Sequence, residues 1–153
     1  MQSQLQWHYK QFDELSSNEL YEILQLRSLV FVVEQNCVYL DLDGKDQSSY
    51  HLWATLNDVI VAYVRLLPPG LSYDEASIGR VITHPDHRKN GFGIEVMNHA
   101  IERTLHQFNV TDIRISAQCY LEQFYGNLGF KIIGASYLED GIPHVEMLLQ
   151  RVH

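Results

Sequence analysis

The chain has 153 residues, a formal net charge of −8, and 46% hydrophobic and 20% charged residues, which indicates one globular domain over residues 1–153. No apolar run reaches the roughly 20 residues of a membrane helix, and the N-terminus lacks the pattern of a secretory leader. No run of Lys or Arg offers the basic surface that a nucleic acid or an anionic membrane requires, so we expect neither as a partner.

The first part of the chain is predicted to form a strand and then a helix. Residues Leu5–Tyr9 alternate in polarity as a short strand does. Ser16 with Glu19 three residues later is a capping box, typical of a helix start, and apolar residues at helical spacing continue to Phe31. An acidic, turn-rich segment over Glu34–Ser49 follows.

Three strands are predicted next. Tyr50–Thr55 and Val59–Leu67 flank an Asn57-Asp58 turn. The second of them is almost uninterrupted in apolar character, which predicts a strand covered on both faces. Pro68–Gly70 breaks the chain, and Ser77–Thr83 forms the third strand.

The pattern then changes to helices that alternate with strands. An apolar stripe at helical spacing begins after Gly93 and ends at Phe108. Asp112–Ala117 is a predicted strand and Leu121–Leu128 a short helix, for which Gly129 supplies a left-handed C-terminal cap.

The C-terminal part is predicted to be a β-hairpin. Lys131–Leu138 and His144–Leu149 are its strands, and Asp140-Gly141 is a favoured turn pair between them. The whole order is β-α-β-β-β-α-β-α-β-β. We therefore expect a mixed α/β fold with a central, mostly antiparallel twisted sheet flanked by helices.

The loop His84–Gly93, HPDHRKNGFG, lies between a predicted strand and the long helix. Backbone N–H groups at a helix start have no intrahelical acceptor and favour an anion. Gly91 and Gly93 permit close approach, and Arg88 and Lys89 add positive charge. The loop lacks the Gly-Lys-Ser/Thr of a Walker motif and the G-x-G-x-x-G of a Rossmann fold. It is either a cradle for a diphosphate or a glycine-rich turn with solvated basic side chains.

Two motifs together resemble those of the GCN5-related N-acetyltransferase (GNAT) family: the loop RKNGFG at residues 88–93 and FYGNLGF at 124–130. The segments LQLRSLVFVVEQNCVYLDLD (24–43) and EDGIPHVEM (139–147) resemble the ElaA-type branch. The resemblance implies the acyl-CoA N-acyltransferase fold, acetyl-CoA as cosubstrate without a metal, and a small-molecule or peptide amine as acceptor.

The resemblance also implies roles for individual residues. The backbone of Val81, Ile82 and Thr83 would pair with the pantetheine arm and acetyl carbonyl. The pyrophosphate loop would comprise Arg88, Lys89, Asn90, Gly91, Phe92 and Gly93. Gln118 takes the place of an Asn that often binds the cofactor in relatives. Tyr125 would protonate the departing thiolate, since a phenol with a pKa of about 10 is still protonated at neutral pH.

The general base and the chemical route are less constrained by the sequence. Glu34, His51 and His144 are the candidates for the base, and we assign His144 as the catalytic one. Cys37 and Cys119 would allow an acyl-cysteine intermediate, but neither has a His or carboxylate at recognisable spacing, so direct transfer in a ternary complex is favoured. Two cysteines without CxxC spacing also fit a reduced, cytoplasmic compartment.

The acidic segment has two interpretations, and two functions other than acetyl transfer are also compatible with the sequence. Asp41–Asp46 would favour a cationic amine if it rims the pocket, and is otherwise a solvated acidic loop. Several short fragments resemble the pattern of acyl-homoserine-lactone (AHL) synthases: Arg27 with Phe31, the aspartates Asp41, Asp43 and Asp46, and Arg65–Pro68. A non-catalytic acyl-CoA-binding module would keep the loop without the chemistry. A homodimer is left open.

Overall fold

The computed structural model describes residues 5–151, which form seven strands and three α-helices. Among these residues no helix has the length and apolar character that crossing a membrane requires. In chain order the elements are β1 (Gln6–Gln11), α1 (Ser17–Arg27), β2 (Tyr50–Leu56), β3 (Val59–Leu67), β4 (Ser77–Thr83), α2 (Phe92–Phe108), β5 (Asp112–Gln118), α3 (Glu122–Asn127), β6 (Lys131–Glu139) and β7 (Ile142–Gln150).

The strands form two antiparallel sheets that meet at one parallel contact. The first has the order β1-β2-β3-β4 and the second β5-β7-β6. Ala76 and Ile113 form the bridge between them, and the Arg114 N–H donates to the Ala76 carbonyl at 2.9 Å. Over residues 5–151 this is the sole pairing between the sheets, so β4 and β5 have free edges beyond it. The predicted mixed, mostly antiparallel fold is confirmed.

Successive side chains of β3 point to opposite faces of the first sheet. Each face is covered by a helix. Ala62 and Val64 pack in the core that includes α2, whereas Tyr63 packs with Ile23 and Leu26 of α1. The prediction that β3 is covered on both faces is confirmed, since every residue after Val59 is buried.

The first helix begins as predicted and then changes its winding. The Ser16 hydroxyl accepts from the Glu19 N–H at 3.0 Å, and the Glu19 carboxylate accepts from the Ser16 N–H at 2.9 Å. After Arg27 the chain continues as a π-helical segment, Ser28–Glu34. This segment carries the end of the predicted apolar pattern toward the gap between the sheets, and π-helical turns are frequent at functional sites.

The expectation of a solvated acidic loop is wrong. Asp41 and Asp46 are only 4% and 6% exposed. The Arg27 guanidinium donates to both, at 2.8 and 2.7 Å. Arg65 donates to Asp46 at 2.9 Å and to Asp43 through both terminal nitrogens. Burial of arginines on this face requires nearby carboxylates, which explains why the acidic segment folds inward.

Arg80 of β4 completes this cluster. Its Nε lies 2.7 Å from Asp41 Oδ1, and its Nη2 lies 3.5 Å from Asp43 Oδ2. We refer to Arg27, Arg65, Arg80, Asp41, Asp43 and Asp46 as the ion network. Its three positive and three negative charges balance, so it offers no uncompensated carboxylate to a cationic acceptor. The AHL-synthase-like fragments of the sequence therefore have a structural role here.

Candidate active site

A cavity of about 1110 Å³ lies between β4, β5, the segment that follows α1 and the β6–β7 hairpin. Eight of the residues assigned from the sequence to cofactor binding or catalysis line it: Val81, Ile82, Thr83, Arg88, Gly93, Gln118, Tyr125 and His144. The candidate base Glu34 and Cys37 line it as well. Residues distant in sequence and predicted to act together therefore share one space. Lys89, Asn90, Gly91 and Phe92 belong to the adjoining loop, outside the lining of the cavity.

The β4 edge that faces the cavity is irregular at one point. Gly79 is the partner of Arg65 and Ile82 is the partner of Tyr63. Two residues of β4 therefore stand opposite one residue of β3, which is a β-bulge. Arg80 takes a positive φ of 53° at this bulge. The bulge interrupts regular pairing with β3 in the part of β4 that lines the cavity.

The loop after β4 leads into the N-terminus of α2 as an anion site requires. Gly91 is the N-cap residue with φ of 79°, and its carbonyl accepts from the Glu95 N–H at 3.1 Å. The N–H groups of the first helical turn have no intrahelical acceptor, and the helix dipole adds partial positive charge there. Lys89 also has a positive φ of 71°. The Asn90 amide donates to the His87 carbonyl at 3.2 Å, which ties the loop together.

Gly93 is needed for close packing between α2 and β4. A Cβ atom at this position would lie 3.2 Å from the Thr83 hydroxyl oxygen and 3.7 Å from the Phe124 ring. The absence of a side chain therefore lets the start of the helix approach the end of the strand. This contact joins the predicted phosphate loop to the predicted pantetheine strand.

Arg88 is paired with a carboxylate across the mouth of the cavity. Its two terminal nitrogens donate to the two Glu34 carboxylate oxygens at 2.7 and 2.5 Å. The hydrogen bond from Arg88 lowers the pKa of the Glu34 carboxyl below its usual value. Glu34, one of the candidate bases, is thus held as an ionised partner of Arg88 and is poorly suited to accept a proton.

Tyr125 is buried and directed toward the cavity. It is 7% exposed, and its ring makes edge contacts with Phe124 and Phe130. Its hydroxyl has no hydrogen-bond partner among residues 5–151, although the residue lines the cavity. Burial raises the pKa of the Tyr125 phenol above its usual value, so at neutral pH the hydroxyl is a proton donor. Because Tyr125 lines the cavity and its hydroxyl has no partner among the described residues, this hydroxyl is available to donate to a substrate atom.

His144 lies on β7, where it is paired with Gln118 of β5, and it lines the same cavity as Tyr125. Its Nδ1 lies 2.7 Å from the Ile142 carbonyl oxygen, which can only accept, so Nδ1 carries a proton. In the neutral ring Nε2 then has the free lone pair. His144 Nε2 lies 3.3 Å from a Glu139 carboxylate oxygen.

The other candidate histidine lies in the core. His51 is 1% exposed, outside the lining of the cavity. Its ring contacts the Tyr63 hydroxyl at 2.7 Å and the Asp46 carbonyl at 3.0 Å. Burial lowers the pKa of His51. His51 is therefore a neutral, fully bonded residue beside the ion network, and this removes it as a base.

The segment after α1 crosses the gap between the sheets. Gln35 faces Gln118 with amide contacts of 3.4 and 3.5 Å, and the Cys37 thiol lies 3.4 Å from the Asp140 carbonyl. Cys37 lines the cavity, whereas Cys119 lines a separate surface depression. Neither thiol has a His or carboxylate partner among residues 5–151. Within the same range, no group of three or more metal-binding side chains is assembled.

Sequence reasoning missed Glu139 as a site residue. The antiparallel register of the hairpin pairs Glu139 with Ile142 and Tyr137 with His144, so Glu139 and His144 approach each other across the turn. The Asp140-Gly141 turn, predicted correctly, held the signal. A two-residue turn fixes which side chains are neighbours on each face.

Comparison with known proteins agrees with this geometry. The family model described as the acetyltransferase (GNAT) domain matches residues 17–151. Protein ElaA of Escherichia coli is 39% identical over 94% of this chain and 95% of its own length. Its crystal structure has a TM-score of 0.90 at 37% identity, and the match covers 96% of this chain and 100% of the ElaA chain.

Two further solved structures are similar to this chain. An acyl-CoA N-acyltransferase from Pseudomonas aeruginosa has a TM-score of 0.90 at 38% identity, over 95% of this chain and 99% of its own. The AHL synthase LasI has a TM-score of 0.79 at 14% identity, over 97% and 91%, and this likeness shows the fold alone. The chain therefore belongs to the GNAT acetyltransferase family, in the branch that contains ElaA, and is an acyl-CoA-dependent acyltransferase.

Proposed function

We propose that the protein transfers the acetyl group of acetyl-CoA to a primary amine by direct attack in a ternary complex. The observation that carries this proposal is Tyr125, whose ring is buried and whose hydroxyl has no hydrogen-bond partner within the described chain, in the same cavity as the β4 edge, Arg88 and Gly93. A leaving thiolate held along β4 would need a proton at this place.

The cosubstrate would lie along the free edge of β4. The pyrophosphate would accept from the backbone N–H groups at the start of α2. Arg88, whose terminal nitrogens each donate to Glu34, would add charge-assisted hydrogen bonds through its remaining N–H groups. The backbone of Val81–Thr83 would pair with the pantetheine arm along the free edge of β4, because the opposite edge of β4 already pairs with β3. Gln118, on the edge of β5 across the gap, would add an amide contact.

The protons can be followed through the reaction. The His144 Nε2 would take one proton from the protonated amine, and the free nitrogen would attack the thioester carbonyl carbon. The carbon–sulfur bond then breaks while Tyr125 gives its proton to the sulfur. The remaining extra proton leaves the nitrogen as the amide forms and replaces the one that Tyr125 gave. The products are an N-acetyl amide, free CoA and one proton on His144.

The substitution Tyr125→Phe tests this proposal. With a panel of amines (polyamines, amino acids, aminoglycosides and peptide N-termini), acetyl-CoA and detection of the released thiol, the wild type should show amine-dependent turnover. The variant should lose about 10²–10⁴-fold in kcat with nearly unchanged affinity for acetyl-CoA. A wild type that binds acetyl-CoA but transfers nothing to any amine would favour the non-catalytic binding module instead.

A further inference from the structure

β4 runs along the cavity, so the two ends of this strand face different parts of the proposed site. The Thr83 end lies against Gly93 and the phosphate loop. The Ser77 end lies six residues away, about 20 Å along an extended strand. Both ends of β4 line the cavity. If phosphates occupy the Thr83 end, the acceptor has to enter from the side of the Ser77 end and the β6–β7 hairpin.

Most charged groups in the cavity are already compensated. Those that line it are Glu34, Asp43, Lys45, Arg65, Arg80, Arg88, Glu139 and Asp140. Glu34 is paired with Arg88, and Asp43, Arg65 and Arg80 belong to the ion network. The Lys45 ammonium donates to the neutral Ser72 hydroxyl at 2.9 Å, so among the described residues its charge has no carboxylate partner. Within residues 5–151, Glu139 and Asp140 are the lining carboxylates without an Arg or Lys partner.

Glu139 and His144 form an arrangement that lacks one donor. The His144 side chain is 8% exposed and fixed through Nδ1 by the Ile142 carbonyl, whereas the Glu139 side chain is 51% exposed. Their facing atoms, Nε2 and Oε2, are 3.3 Å apart. A neutral imidazole lone pair and a carboxylate repel each other at this distance. Two kinds of donor can relieve this repulsion: a second proton on the His144 ring, or the N–H groups of a ligand placed within hydrogen-bond distance of both atoms.

We propose that Glu139 binds the ammonium group of the acceptor, and that the acceptor is a primary alkylamine that is protonated at neutral pH. This inference rests on the proposed acetyl transfer. An ammonium group has three donors, so it can satisfy Glu139 Oε2 and His144 Nε2 together. It would then be bound in its charged form beside the base that deprotonates it. Tyr125, the proposed proton donor to the leaving sulfur, lines the same cavity as Glu139 and His144.

Glu139 is accordingly a specificity residue, and His144 remains the proton acceptor. The structure supplies a matched control for it in Glu22, an exposed residue of α1 that lies outside the lining of the cavity. Glu22→Gln removes the same charge from the protein. Any general effect of net charge on the cationic substrate should therefore be the same in the two variants.

The test is steady-state kinetics of wild type, Glu139→Gln and Glu22→Gln with the best alkylamine of the panel and with the uncharged arylamine aniline. We expect turnover of the alkylamine in preference to aniline. Glu139→Gln should raise the KM for the alkylamine by about 10- to 100-fold, as the loss of a hydrogen bond to a charged group implies. Its kcat and its KM for acetyl-CoA should change little, and Glu22→Gln should resemble wild type.

The outcomes separate the two claims. Alkylamine turnover with an equal KM in Glu139→Gln and Glu22→Gln would overturn the role of Glu139 and leave acetyl transfer standing. Preference for aniline over every alkylamine would overturn the substrate class. Absence of transfer to any amine would overturn the proposed function, and the inference with it.

Discussion

Replacement of Arg27 by Met tests whether the ion network holds the wall of the active site. The Arg27 side chain is 0% exposed and donates to two carboxylates, those of Asp41 and Asp46, which are themselves almost fully buried. Removing one member of such a network leaves buried charge uncompensated and typically costs about 3–5 kcal/mol. Because Asp46 retains Arg65 and Asp41 retains Arg80, we expect the lower end, about 3 kcal/mol.

Urea unfolding at pH 7 measures this loss directly. Arg88→Met is a matched control, since it removes an Arg–Glu pair whose side chains are 44% and 37% exposed. Exposed pairs contribute about 0–1 kcal/mol. For a chain of this length 3 kcal/mol corresponds to a fall in Tm of about 6–12 °C. Equal stabilities of the Arg27 and Arg88 variants would refute the view that the network anchors the loop beside the cavity.

Three further predictions concern pH and the phosphate loop. Although burial opposes ionisation, hydrogen bonds from arginines hold the pKa values of Asp43 and Asp46 below their usual range. The stabilisation that these two ionised carboxylates give the fold should therefore persist above about pH 4 and decline as the pH falls below it. A free energy of unfolding that rises as the pH falls through this window would contradict the prediction. Arg88→Ala should weaken CoA binding more than binding of a phosphate-free pantetheine derivative in calorimetry, whereas equal losses would place Arg88 away from the phosphates. Gly91→Val should weaken CoA binding because φ of 79° disfavours a β-branched residue at the N-cap of α2. Gly70 also has a positive φ and open surroundings but lies in the loop between β3 and β4 and not at the start of α2, so Gly70→Val should bind CoA as wild type does.

Local patterns predicted most of the elements and supplied one loop of the proposed site. The capping box at Ser16 and the Asp140-Gly141 turn act within a few residues, and both are found where expected. The phosphate loop is likewise a local device, since its N–H groups, glycines and arginine lie within six positions. Such features depend on short-range geometry that a sequence displays directly.

Features that depend on long-range contact were not predictable from the sequence. Arg27 and Asp46 are 19 positions apart, and Arg88 and Glu34 are 54 apart. No periodicity reveals which carboxylate an arginine meets. For this reason the acidic segment was expected to be solvated, and Glu34 was considered a base. Both assignments changed once the fold brought the arginines beside them.

The central claim is that the cavity binds an acyl-CoA with its phosphates at the start of α2. Isothermal titration calorimetry of the wild-type protein with CoA tests it most directly, because it requires no knowledge of the acceptor. The account predicts saturable binding of one CoA per chain at submillimolar concentration, weakened in Gly91→Val and Arg88→Ala but not in Gly70→Val. Absence of any binding to the wild type at millimolar CoA would contradict it.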